Sequence, residues 1–165
     1  MGFLVASQDS PGDRPIATSN EMVGLQIFSV SSAVHVSGPV QYPQTPPIGG
    51  DHAPLWQDCG FYPRPVVTER GVHSMEHGAV WITYRPDLAA DQVSALRKLA
   101  TDQTYVLVSP WPGLPAPVVA SAWGKQVRLE SASDPRLREF LRQFRESPEA
   151  PEPGAACVGG ATSPA

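Results

Sequence analysis

The sequence predicts a single α+β domain with a mostly antiparallel four- to six-stranded sheet, two or three helices and long Pro/Gly-rich loops. Three observations lead there. The chain has 165 residues, enough for one domain with a sizeable core and too few for two. Strand-like and helix-like runs are interspersed, with no internal repeat, G-x-G-x-x-G or P-loop. Proline is abundant at 19 residues, but it gathers in 39–65, in 110–117 and after Ser147. That distribution reads as rigid loops and a loose end on a compact domain, not as a disordered chain.

In order, residues 1–22 are polar and aperiodic and read as a flexible lead-in, and the domain proper spans 23–147. Leu25 to Val30 alternates apolar and polar, as a half-buried strand does. Val34-His35-Val36 is a second short strand stopped by Gly38-Pro39. Alternation turns His35 away from both valines, and a lone strand histidine reads as a surface or satisfied core residue. Residues 38–65 hold seven prolines and four glycines, so regular structure is not expected. Yet Tyr42, Trp56, Phe61 and Tyr62 fall there, and aromatics of that size must bury area. An ordered loop of this length is a functional one. Pro46-Pro47-Ile48-Gly49-Gly50 forms a stiff arm and a hinge that deliver Asp51-His52 to a defined place.

Thr68 to Gly78 reads as a helix of one to two turns, with Thr68 as N-cap and Gly78 at the C′ position. Ala79 to Tyr84 is the strongest strand signal, rich in β-branched and aromatic residues. Ala90 to Ala100 carries Val93, Leu96 and Leu99 on one helical face. Thr104 to Ser109 is a continuous apolar strand, and Pro110 to Pro117 a rigid connector. Val118 to Trp123 and Lys125 to Glu130 flank Gly124 as consecutive strands. Asp134 before Pro135 sets a helix start, with Leu137, Phe140, Leu141 and Phe144 as its core face. The Pro/Gly/Ala-rich tail 148–165 should be mobile unless Cys157 tethers it.

A net charge of −4 without a basic cluster argues against nucleic acid or an anionic membrane as partner. Arg136, Arg138, Arg142 and Arg145 alternate with acids and apolar residues and read as a solvated helix face. No apolar run approaches the length of a membrane span, and the N-terminus has no basic signal-peptide region. The expectation is a cytoplasmic protein, or one whose export or anchor segment lies outside this chain. Two cysteines, Cys59 and Cys157, allow a bridge, two thiols or a thiolate ligand.

The chemistry gathers in one stretch. All four histidines, His35, His52, His73 and His77, lie in or just before residues 49–84. His73 and His77 are at i and i+4, so a helical turn puts both imidazoles on one face, and Glu76 can join it. His73-Ser-Met-Glu76-His77 matches H-x-x-E-H, in which two histidines hold zinc and the glutamate is the base. Gly78 ends the helix at once, however, which does not suit a peptidase. The preferred reading is a transition-metal site of His52, His73 and His77. Glu76 would be a ligand or supporting group, Asp51 would orient His52, and Met75 or Cys59 would be further candidates. Copper is the first choice and zinc the second. The reading therefore leans to a binding protein whose partner is a metal ion. One alternative is a zinc-dependent hydrolase with Glu76 as base. Another is an interaction module presenting Trp56, Trp81 and Trp111, with histidines that only cap a helix end.

Two long strings also carry a resemblance. Gly38-Pro-Val-x-Tyr-x-Gln-Thr-Pro-Pro-x-Gly-Gly-Asp-His-x-Pro-x-Trp-Gln-x-Cys-Gly and Val72-His-Ser-x-Glu-His-Gly-Ala-Val-Trp-Ile-Thr-Tyr-Arg-Pro resemble the bacterial DUF3105 family. The likeness runs on through Tyr105-Val-Leu, the segment from Pro112 to Gly124 and Glu152-Pro-Gly-x-x-Cys. It covers roughly residues 25–160 and implies an exported domain behind a membrane anchor, which this chain does not show. An oxidising compartment would favour a Cys59–Cys157 disulfide. Met75 stands where relatives are expected to carry Leu.

Overall fold

The structure, a computed structural model, describes residues 22–165. All but the last residue of the 1–22 lead-in lies outside the described residues. The elements are β1 (Gln26–Ile27), β2 (Gly60–Phe61), α1 (Thr68–Glu76), β3 (Val80–Tyr84), α2 (Ala90–Asp102), β4 (Val106–Pro110), β5 (Val118–Ala122), β6 (Lys125–Leu129) and α3 (Pro135–Phe144). They build one α+β domain around a six-stranded sheet in the order β1-β6-β5-β3-β4-β2.

The sheet is mixed. Three neighbouring pairs are antiparallel, β1 with β6, β6 with β5 and β5 with β3. The pairs β3–β4 and β4–β2 are parallel. The reason lies in α2: a helix of 13 residues between β3 and β4 is a crossover connection, and a crossover returns the chain in the same direction. β3 and β4 are buried along their whole length, as strands covered on both faces are. β1 is shorter than the expected strand from Leu25 to Val30, and Val34–Val36 makes only a bridge, His35 to His52. β2 was not expected at all within the proline-rich loop.

Alternation along β3 defines three layers. Val80, Ile82 and Tyr84 face α2 and α3, packing with Leu96, Leu137 and Phe140. Trp81 faces the other way, with Val72 and Met75 of α1 and Leu107 of β4. Fully burying side chains such as Val72 and Met75 contributes about 1.5–3 kcal/mol each, and this contact pins α1 to the sheet. Gly71 is needed for it, because a Cβ there would lie 2.7 Å from the Trp81 ring. The helix starts one residue earlier than its sequence suggests. Val67 is the N-cap, without a side-chain bond, and Thr68 is already helical. At the other end Gly78, at φ +101°, turns the chain directly into β3, a backbone region that favours glycine. α3 begins as expected, with the Asp134 side chain accepting from the Arg136 N–H at 3.0 Å.

The loop 52–57 runs along α1. Ala53 N–H donates to Glu69 O, Gln57 N–H to Arg70 O, and Ser74 Oγ to Gln57 O. The tail, expected to be mobile unless tethered, is laid against this loop and tied by the Cys59–Cys157 disulfide, with Cα atoms 5.4 Å apart. Cys59 N–H donates to Cys157 O, Asp58 N–H to Ala161 O and Ala161 N–H to Trp56 O.

Candidate metal centre

Helix α1 brings its polar face to the loop and the tail. From Gly71 to Glu76 every residue is buried, and so is His77, which follows as C-cap. The i, i+3, i+4 spacing stacks His73, Glu76 and His77 on this face. His52 arrives from the Gly49-Gly50 hinge and is fully buried. His35 is brought beside it by a short ladder, in which Val36 N–H donates to His52 O at 2.8 Å and His52 N–H to Val34 O at 3.0 Å.

The side chains converge on Glu76. Its Oε2 lies 2.8 Å from His52 Nε2, 3.6 Å from His35 Nε2 and 3.7 Å from His73 Nε2. On the other side of His73, its Nε2 is 2.9 Å from His77 Nε2, and His77 Nε2 is 3.5 Å from Glu152 Oε2 in the tail. Two groups of donor atoms result, His35-His52-His73-Glu76 and Glu76-His77-Glu152, each lying within 4.8 Å among itself. Solvent reaches them through His35 and Glu152, whose side chains are 47% and 56% exposed, against 5% or less for the other four.

The opposite nitrogens of three rings are spoken for. His52 Nδ1 meets Gly50 O at 2.8 Å, His73 Nδ1 meets Ala53 O at 2.6 Å and His77 Nδ1 meets Ala156 O at 2.7 Å. A carbonyl oxygen only accepts, so each Nδ1 carries a proton and each neutral ring presents a lone pair at Nε2. Backbone bonds of this kind fix the tautomer and orientation that metal-ligating histidines need. They also create two contacts between acceptors, His52 Nε2 against Glu76 Oε2 and His73 Nε2 against His77 Nε2. Each requires a positive charge between its atoms, a proton or a metal ion. Burial pushes the His73 imidazolium down from the ordinary imidazole value, and His77 and His52 add to this; the Ala53 carbonyl and Glu76 act the other way. A neutral His73 is the ligating form.

The spacings match coordination. Bonds of about 2.0–2.1 Å place two donors about 2.9 Å apart at a right angle and about 4.1 Å apart in line. The three contacts to Glu76 Oε2 run from 2.8 to 3.7 Å. His52, His73 and Glu76 are thus brought together, His73 and Glu76 by helical spacing and His52 by its loop. His77 stands against His73 but belongs to the neighbouring group with Glu152.

Three other candidates lie elsewhere. The Asp51 carboxylate turns outward to Ser32 Oγ and Val34 N–H, whose hydrogen bonds hold its pKa below the ordinary carboxylate range. His52 is therefore oriented by Gly50 O, not by Asp51. Met75 is fully buried in the apolar cluster with Val72, Trp81 and Leu107, on the side of α1 that grips the sheet. Cys59 is consumed by the disulfide and offers no thiolate. Trp81 is likewise fully buried, with Trp111 packed edge-on against it, while Trp56 and Trp111 are half-buried. His35 and Glu152 were not expected as site residues. Alternation, with Val34 left 58% exposed, was the one available signal that His35 turns inward. Nothing local marks Glu152.

Fold and cluster define the class: a disulfide-tied α+β domain with buried His/Glu groups able to hold a metal ion. Residues 34–159 match the family model described as "Protein of unknown function (DUF3105)", and the chain belongs to this family. No curated protein and no solved structure matches it. No helix among the described residues is long and apolar enough to cross a membrane.

Proposed function

We propose that this domain binds a transition-metal ion through His35, His52, His73 and Glu76, in an extracytoplasmic compartment. The observation that carries the reading is the convergence of three Nε2 atoms on one Glu76 oxygen, with the His52 and His73 rings locked from behind by backbone carbonyls. With Cys59 in a disulfide and Met75 in the core, the ligand set is nitrogen and oxygen only. Such a set suits divalent copper or zinc, and the Irving–Williams order puts copper first. Glu76 sits in the middle of three imidazoles, a place for a ligand more than for a hydrolytic base. The disulfide supports the compartment, since bridges persist where conditions are oxidising.

The test is elemental mass spectrometry on protein purified without a His tag or chelator, beside a His52→Gln variant checked for folding by circular dichroism. Near-stoichiometric copper or zinc in the wild type, lost in the folded variant, is the expected result. A wild type that is empty and takes up neither added metal would overturn the reading.

A further inference from the structure

The pair His73–His77 is not used by a single ion at the first group, and it leads further. His77 Nε2 is a second buried donor whose ring is fixed from behind, by the tail carbonyl of Ala156. Its own neighbours are Glu76 and Glu152, which with it form the second donor group. That group is also built by backbone. Glu152 N–H donates to Glu76 O at 3.0 Å and Gly154 N–H to His77 O at 3.1 Å, so the tail chain that carries Glu152 is bonded to the end of α1. Tyr105 Oη donates to Gly154 O and Ala155 O from the other side, and Trp56 walls the place with its ring 5.1 Å from that of His77.

We propose that the domain holds two metal ions bridged by the Glu76 carboxylate, the second bound by His77 and Glu152; this rests on the metal-binding reading above. The first ion supplies the cation that the His52–Glu76 contact calls for, and the second takes up the lone pair of His77. A carboxylate bridge with ions about 3.5–4 Å apart is a recurrent arrangement, and Glu76 is the one residue common to both donor groups. The positions differ in chemistry. The first is rich in imidazole, with three of its four donors buried. The second has one imidazole and two carboxylates, one of them exposed on the tail, and leaves room for water as further ligand. Binding is therefore stepwise, with a tight first ion and a weaker, exchangeable second one.

The experiment is a titration of the full chain with Cu(II), followed by calorimetry and by electron paramagnetic resonance, for wild type, Glu152→Gln and His52→Gln. Glu152 is exposed, so its isosteric replacement leaves folding intact. In the wild type two ions bind per chain, and the Cu(II) signal gained with the first equivalent diminishes with the second as the bridged pair couples. In Glu152→Gln the first step keeps its affinity, the second weakens by at least about tenfold, and the signal no longer diminishes. His52→Gln weakens the tight step. One ion per chain in both wild type and Glu152→Gln, lost in His52→Gln, would overturn the second position and leave the first standing. Two uncoupled ions, or two whose affinities Glu152→Gln leaves unchanged, would overturn the bridge or the role of Glu152. No binding in the wild type would overturn both readings.

Discussion

Replacing Glu76 by Gln removes one charge and keeps the shape of a side chain that is 5% exposed. In the metal-free protein the change is expected to be mild, because the carboxamide can donate to His52 Nε2 where the carboxylate only accepts. The metal-loaded protein is different. Outer-shell partners of a metal site cost about 10–100-fold in affinity when removed, and a direct anionic ligand is expected to reach at least the upper figure. Free metal at about 1,000 times the wild-type Kd stabilises the fold by about 4.1 kcal/mol; a hundredfold weaker Kd leaves about 1.4 kcal/mol at the same concentration. At about 2–4 °C per kcal/mol for a chain of this size, melting rises by about 8–16 °C in the wild type and by about 3–6 °C in the variant. Differential scanning fluorimetry with copper or zinc and with chelator reads both numbers. Equal metal-induced shifts in the two proteins would refute the assignment of Glu76 as a ligand.

Met75→Leu should leave metal affinity unchanged and cost under about 1.5 kcal/mol, as volume-conserving core swaps do; a copper titration that weakens in this variant would return the thioether to the site. The proton balance at His73 gives a pH dependence in the metal-free protein. Its folded-state value lies below the ordinary 6.5, chiefly through burial, so just below that pH the unfolded chain binds a proton that the folded chain refuses. Its contribution is complete above about pH 6.5 and is lost as the pH falls through the lowered value; melting in chelator from pH 8 to 5 should decline more steeply than in His73→Gln, and parallel curves would remove His73 from this account. The Cys59–Cys157 bridge spans 98 residues, and in the chain-entropy picture closing such a loop is worth about 4–5 kcal/mol. Urea unfolding of a Cys59→Ser/Cys157→Ser variant should show a loss of that order, and a loss below about 1 kcal/mol would mean that the tail stays in place without the bridge.

What could be read from the sequence followed local periodicity. The i, i+4 relation of His73 and His77 survives because a helix converts spacing directly into neighbourhood. Gly78 survives because a turn out of a helix requires a positive φ. The β3-α2-β4 run was legible as elements, but its consequence was missed: a strand, a helix and a strand of those lengths make a parallel pair, and the sheet is mixed for that reason. β2 gave no pattern at two residues inside a proline-rich loop. His35 and Glu152 depend on pairings made at a distance, through the His35–His52 bridge and the tail bonds to Glu76 and His77. Such placements are tertiary facts that no window of neighbouring residues contains. Asp51 was misjudged for the opposite reason. Adjacency in sequence to His52 is not contact: the Asp51 carboxylate bonds Ser32 and Val34 N–H, while the His52 ring bonds Gly50 O.

The segment that completes the cluster is made after the sheet it closes on. During synthesis His35, His52, His73 and Glu76 leave the ribosome before any of β3 to β6, whereas Glu152, Ala156 and Cys157 follow the whole sheet and α3. Ordering in time is thereby written into ordering along the chain. The imidazoles can gather on α1 early, but the strap that closes over His77 has nothing to lie against until Tyr105 and the 56–62 loop are in place.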